Sequence, residues 1–122
     1  MTERHNIWLM RDESAQQAHG AVRADTITEI TTQEYNELRL LRVSTTSGNA
    51  SLGYCDPEHH DHFVNGLLTT LRQAEESKAH FVVIAAIPPN EQDGTDQNFW
   101  SVFENEWPIP RQPVPAARTN TW

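Results

Sequence analysis

Residues 55–88 read CDPEHHDHFVNGLLTTLRQAEESKAHFVVIAAIP, and they decide the fold class because the hydrophobic period changes within them from that of a helix to that of a strand. Asp56 is an N-cap residue type, and Pro57 has its φ preset for a first helical turn, where a missing N–H costs nothing. The spacing therefore predicts a helix over Pro57–Lys78. Phe63, Val64, Leu67, Leu68 and Leu71 recur at helical spacing on one face, while Asp61, Arg72, Glu75 and Glu76 take the other. Gly66 sits at the edge of the apolar face, where it costs about 1 kcal/mol relative to alanine. After Ala79 the pattern becomes HFVVIAAI over residues 80–87, a continuous apolar run rich in β-branched side chains. A strand buried on both faces reads this way.

Upstream, HNIWLMR (5–11) supplies a first strand, and the polar residues 12–24 are read as a short helix or a loop. Thr31 followed three residues later by Glu34 forms a capping box, with Ile30 and Tyr35 placed as a hydrophobic staple, so a short helix is expected from Thr32. Residues 41–45 (LRVST) and 51–55 (SLGYC) flank the turn signal Ser47-Gly48-Asn49 and predict a hairpin. The expected order is β, α, β-β, α, β.

Downstream, PPNEQDGTDQ (88–97) is turn-forming and acidic and reads as a surface loop. In residues 98–107, Phe99, Val102, Phe103 and Trp107 fit one helical face, so a last short helix is expected, capped by Asp96. The tail that follows carries Pro108, Pro110, Pro113 and Pro115, a composition that excludes regular helix and central strand and favours extended polyproline geometry. The fold expected is a single α+β domain over residues 1–107, a small mixed β-sheet packed by one long amphipathic helix, with residues 108–122 as a proline-rich extended tail. Trp107 and Trp122 are its natural anchors, docking on the same domain, on a second copy or on a partner.

At 122 residues the chain has the length of one ordinary domain, and its formal charge is −8. The excess is concentrated between Asp56 and Glu106, where ten acids face only Arg72 and Lys78. That balance argues against direct affinity for nucleic acid or anionic membrane, both of which are bound through clustered Lys and Arg, and favours a basic partner. One cysteine, Cys55, allows no internal disulfide and no four-cysteine zinc site. With no signal-peptide pattern at the N-terminus and no run of membrane-spanning length, the expectation is a cytoplasmic protein.

The densest group of reactive side chains is Cys55, Asp56, Glu58, His59, His60, Asp61 and His62. Helical geometry turns His60 toward the apolar stripe and leaves His59 and His62 near the direction Cys55 would take, so a thiolate and two imidazoles are a candidate zinc or copper ligand set. The same Cys55, at a strand-to-helix junction with His59 one turn on, is a candidate nucleophile. Core burial of a small thiol and a polar helix start are the plainer explanations. The glycines are scattered, with no phosphate-loop or dinucleotide pattern.

The remaining features suit recognition. Trp100, Trp107 and Trp122 lie beside the acidic Glu91, Asp93 and Asp96, and residues 110–113 (PRQP) fit a PxxP ligand pattern. The expected function is a small acidic protein-binding module that occupies a basic surface, with those six aromatic and acidic residues as its contacts and a nucleic-acid-binding protein as a fitting partner. In size, acidity and lack of catalytic motifs the chain is similar to many phage-encoded inhibitors of bacterial defence, anti-CRISPR proteins among them. Two further readings stay open: a metal-dependent or thiol enzyme centred on Cys55, His59 and His62, and a structural subunit whose tail mediates homo-oligomer assembly.

Overall fold

The computed structural model describes residues 6–12, 20–87 and 99–107. Within them the chain forms β1 (Ile7–Met10), β2 (Ala21–Arg23), β3 (Ile27–Tyr35), β4 (Leu38–Thr45), β5 (Gly48–Cys55), α1 (His60–Glu75), β6 (Val82–Ala86) and β7 (Trp100–Glu104). The fold is α+β, as its sequence pattern implies. A mixed sheet in the order β2-β1-β6-β7 meets a second, antiparallel sheet in the order β3-β4-β5.

The decisive stretch folds as its periodicity dictates. A 3₁₀ turn over Pro57–His59 runs directly into α1, so helical backbone extends from Pro57 to Glu75. Asp56 does not cap it with its side chain; its backbone carbonyl instead accepts the His59 N–H at 2.9 Å. Phe63, Gly66, Leu67, Leu71 and Ala74 form the buried face of α1, and Leu68 lies at its margin, 48% exposed. Val82, Val83 and Ile84 are fully buried, because β6 is an interior strand, parallel to β1 on one side and antiparallel to β7 on the other. Among the described residues no helix is long and apolar enough to cross a membrane.

Three local expectations are overturned. Residues 21–23, expected within a short helix or a loop, are strand β2, antiparallel to β1. The Thr31–Glu34 capping box starts no helix: residues 27–35 are strand β3, paired with β4 from Ile27↔Thr45 to Tyr35↔Leu38. The β-branched ITEITT run fits a pleated surface, and Asn36 and Glu37, with φ of 48° and 66°, turn the chain back in a two-residue hairpin. Likewise the helix expected at the end of the described chain is strand β7. Its apolar residues alternate across the sheet, and Asn105, at φ 61°, ends it. The Asn105 side-chain oxygen accepts the N–H of His80 at 2.8 Å, and its own N–H donates to the Phe81 carbonyl at 2.9 Å, which holds β7 against β6. The expected hairpin forms with longer arms, β4 and β5, around a turn in which Gly48 has φ 136°.

The core lies between the two sheets and α1. Leu41, Val43, Ala50 and Leu52 of the second sheet meet Ile7, Leu9, Val82 and Ile84 of the first and the buried face of α1. Phe63 is central: its ring stacks on Trp100 at 4.8 Å between centroids and meets the edge of Phe99 at 5.9 Å. The Trp100 indole N–H, deep in this apolar setting, is satisfied by the Phe63 carbonyl at 3.0 Å. Where the sheets touch, Gly53 of β5 lies so close to Ala86 of β6 that a side chain there has no room.

Candidate partner-binding face

Period-2 alternation places one set of side chains from the mixed sheet away from the core. Ile7 and Leu9 point inward, so Trp8 between them points out; Val82 and Ile84 do the same for Val83. Register then builds a row across all four strands, Arg23–Trp8–Val83–Phe103. Trp8, Ala21, Phe81, Val83 and Trp107 enclose an open groove of about 200 Å³ on this face. Its lining is almost wholly apolar, and Trp107 keeps 49% of its surface exposed. At the end of the row Arg23 holds an ion pair with Asp25 at 3.1 Å, a charged rim beside the aromatic floor.

Of the residues the sequence singled out for partner binding, Trp107 belongs to this groove. Trp100 does not: it is 8% exposed and stacked in the core, because the strand that replaces the expected helix turns its ring toward α1. Glu91, Asp93, Asp96 and Trp122 lie outside the described residues. Trp8 and Phe81 were missed, although Trp8 between two core aliphatics in a strand had to face the other way.

Cys55, His59 and His62 are not grouped as a three-ligand set among the described residues. Cys55, the last residue of β5, points into the core and is fully buried, not toward the helix start. Burial, reinforced by the Asp56 charge and only partly opposed by Arg39, pushes its thiol up to about 11, the reverse of what a nucleophile or thiolate ligand needs. His59 is half-buried, its ring 5.8 Å from that of Phe99, and its Nδ1 stands 4.0 Å from Asp56 Oδ2, beyond hydrogen-bond reach. His62 is exposed on α1. Among the described residues no three His, Cys, Asp or Glu side chains are grouped to hold a metal.

The third histidine does make specific contacts. Thr32 of β3 is 2.9 Å from His60 Nε2, His60 Nδ1 is 3.1 Å from Asp61 Oδ1, and Arg39 of β4 donates to the Thr32 hydroxyl at 3.1 Å. Arg39 can only donate and the Asp61 carboxylate can only accept, so with a neutral imidazole the proton sits on Nδ1 and Thr32 donates to Nε2. This row ties the second sheet to the start of α1. The Asp61 side chain is 90% exposed, so water screens it and its grip on the imidazole is weak.

No protein-family model matches the chain, and no curated protein and no solved structure matches it significantly.

Proposed function

We propose that the protein is a small acidic protein-binding module that works by occupying a surface of a basic partner. The observation that carries this reading is the aromatic groove of Trp8, Phe81 and Trp107 on the outer face of the mixed sheet. Interfaces draw most of their energy from a few aromatic anchors in desolvated pockets, and a half-exposed tryptophan beside a second one is such an anchor. The formal charge of −8 sets the partner's chemistry, since long-range attraction selects positive surfaces and raises association rates. A nucleic-acid-binding protein with a basic groove fits that description, and a module seated in the groove would act as an inhibitor by excluding nucleic acid, in the manner of phage-encoded anti-defence and anti-CRISPR proteins.

The acidic Glu91, Asp93 and Asp96 belong to the same proposal as the polar rim of the interface, with Trp122 as a further anchor. Affinity capture from lysate at low and moderate salt, followed by measurement of Kd for the identified partner, tests it. Truncating a hot-spot tryptophan costs about 2 kcal/mol or more, so Trp107→Ala should weaken the complex at least about 30-fold. Replacing Glu91, Asp93 and Asp96 by Ser should lower both affinity and its salt dependence. An unchanged Kd in both variants would refute this placement of the interface.

A further inference from the structure

Among the described residues β3 is the longest strand and lies at the edge of its sheet, paired with β4 alone. Such an edge is a template for another strand, and proteins normally blunt it with short length, proline, bulges or charged side chains, lysine above all; here the protection is two glutamates and a bulge at the start. ITEITTQEY has neither lysine nor proline, its one register shift lies at the start between Ile27 and Glu29, and pairing then runs unbroken to Tyr35. Beneath this edge is a second open groove of about 330 Å³, where Ile27 and Ile30 face Leu68 and Leu71 of α1. Leu68 is the half-exposed margin of the helix stripe. An edge above a groove lined by Ile30, Thr28, Glu29 and the half-exposed Leu68 has the form of a slot for one more strand.

The charges choose the occupant. Glu29 and Glu34 are the only charged residues of β3, at opposite ends of the regular pairing, and both are exposed. A second copy would set two acids against two more in chains that each carry −8. We infer that β3 accepts an extended segment of the basic partner by β-augmentation, the segment alternating apolar residues over Ile30 and Leu68 with lysine or arginine on the opposite face, beside Glu29. Main-chain hydrogen bonds give such pairing its affinity, and alternate side chains its specificity. The inference rests on the partner being basic, as proposed above, and assigns it a second point of contact.

The test uses capped eight-residue peptides titrated against the full chain by fluorescence anisotropy, with amide exchange of β3 followed in parallel. One peptide alternates valine with lysine, one alternates valine with glutamate, and a third alternates proline with lysine, keeping the charge but unable to pair. The valine–lysine peptide should bind at least about tenfold more tightly than either other and protect β3 amides, and Glu29→Lys/Glu34→Lys should reverse the preference toward the glutamate peptide. Equal binding of the proline–lysine peptide would reduce the effect to bulk charge and overturn the inference. So would a doubled solution mass of the free chain with β3 already protected, which gives the edge to a second copy. Retention of a captured partner by the Glu29→Lys/Glu34→Lys chain, with its loss from Trp107→Ala, would overturn the edge assignment and leave the aromatic groove standing.

Discussion

Replacing Gly53 by alanine would place a methyl group 2.4 Å from the Ala86 Cβ and 3.3 Å from the Phe63 ring, where β5 meets β6. The obstacle at 2.4 Å is a Cβ fixed to strand backbone, so no rotamer change relieves it. Restoring an ordinary carbon–carbon contact requires the two sheets to part by about 1 Å, with loss of dispersion contacts along the seam. Overpacking of this kind costs about 1–3 kcal/mol, and the rigid neighbour puts Gly53→Ala in the upper part of that range. In urea the midpoint should fall by about 1 M with the slope unchanged. Ala86→Gly is itself destabilising, since it strips a side chain from a strand, yet in the Gly53→Ala background it removes the clash. The double variant should therefore be more stable than the sum of the two single changes by 1 kcal/mol or more, on the order expected of residues in direct contact. A neutral Gly53→Ala, or strict additivity with Ala86→Gly, would refute the close approach of the two sheets.

The second core glycine gives the opposite sign: a Cβ on Gly66 meets Trp100 at 3.4 Å, ordinary contact, so Gly66→Ala should raise stability by up to about 1 kcal/mol through helix propensity, read from the same urea curves. For the Thr32–His60 tie, a double-mutant cycle with Thr32→Val and His60→Ala should return a coupling of about 0.5–1.5 kcal/mol, and a coupling near zero would dissolve the link between β3 and α1. The Cys55 thiol is raised above its unfolded value, to about 11, so the folded state holds this proton while the unfolded state loses it between about pH 9 and 11. Stability should fall through that window, on the order of 1–3 kcal/mol, and Cys55→Ala should flatten the fall; thiol labelling at pH 8 should proceed only as fast as the chain opens.

The helix and the buried strand were legible because period 3.6 and a continuous β-branched run leave few alternatives over residues 57–87. The hairpin of β4 and β5 was legible from its turn residues. What failed was local: Thr31 and Glu34 carry the letters of a capping box, but pairing with β4 stabilises eight residues of β3 more than one cap stabilises an isolated turn. The return at Asn36-Glu37 has no glycine to announce it, since asparagine tolerates positive φ. Residues 99–107 satisfied helix and strand periods alike, and only a free edge on β6, invisible in the sequence, decides between them. That one decision moved Trp100 from a proposed surface anchor into the core and left Trp107 outside. In the histidine cluster, proximity along the chain does not bring side chains together, because Cys55 ends a strand facing the core and His62 faces solvent on the helix.

The measurement closest to the central claim compares the intact chain with Trp8→Ala and Trp107→Ala in capture from lysate at two salt concentrations, with Kd determined for the partner identified and unfolding midpoints recorded for each variant. A stoichiometric, basic, salt-sensitive partner, bound at least about 30-fold more weakly by Trp107→Ala at an unchanged midpoint, is the expected result. A complex indifferent to both tryptophans, or no stoichiometric partner at either salt concentration, would contradict the assignment of the sheet's aromatic face as a binding surface.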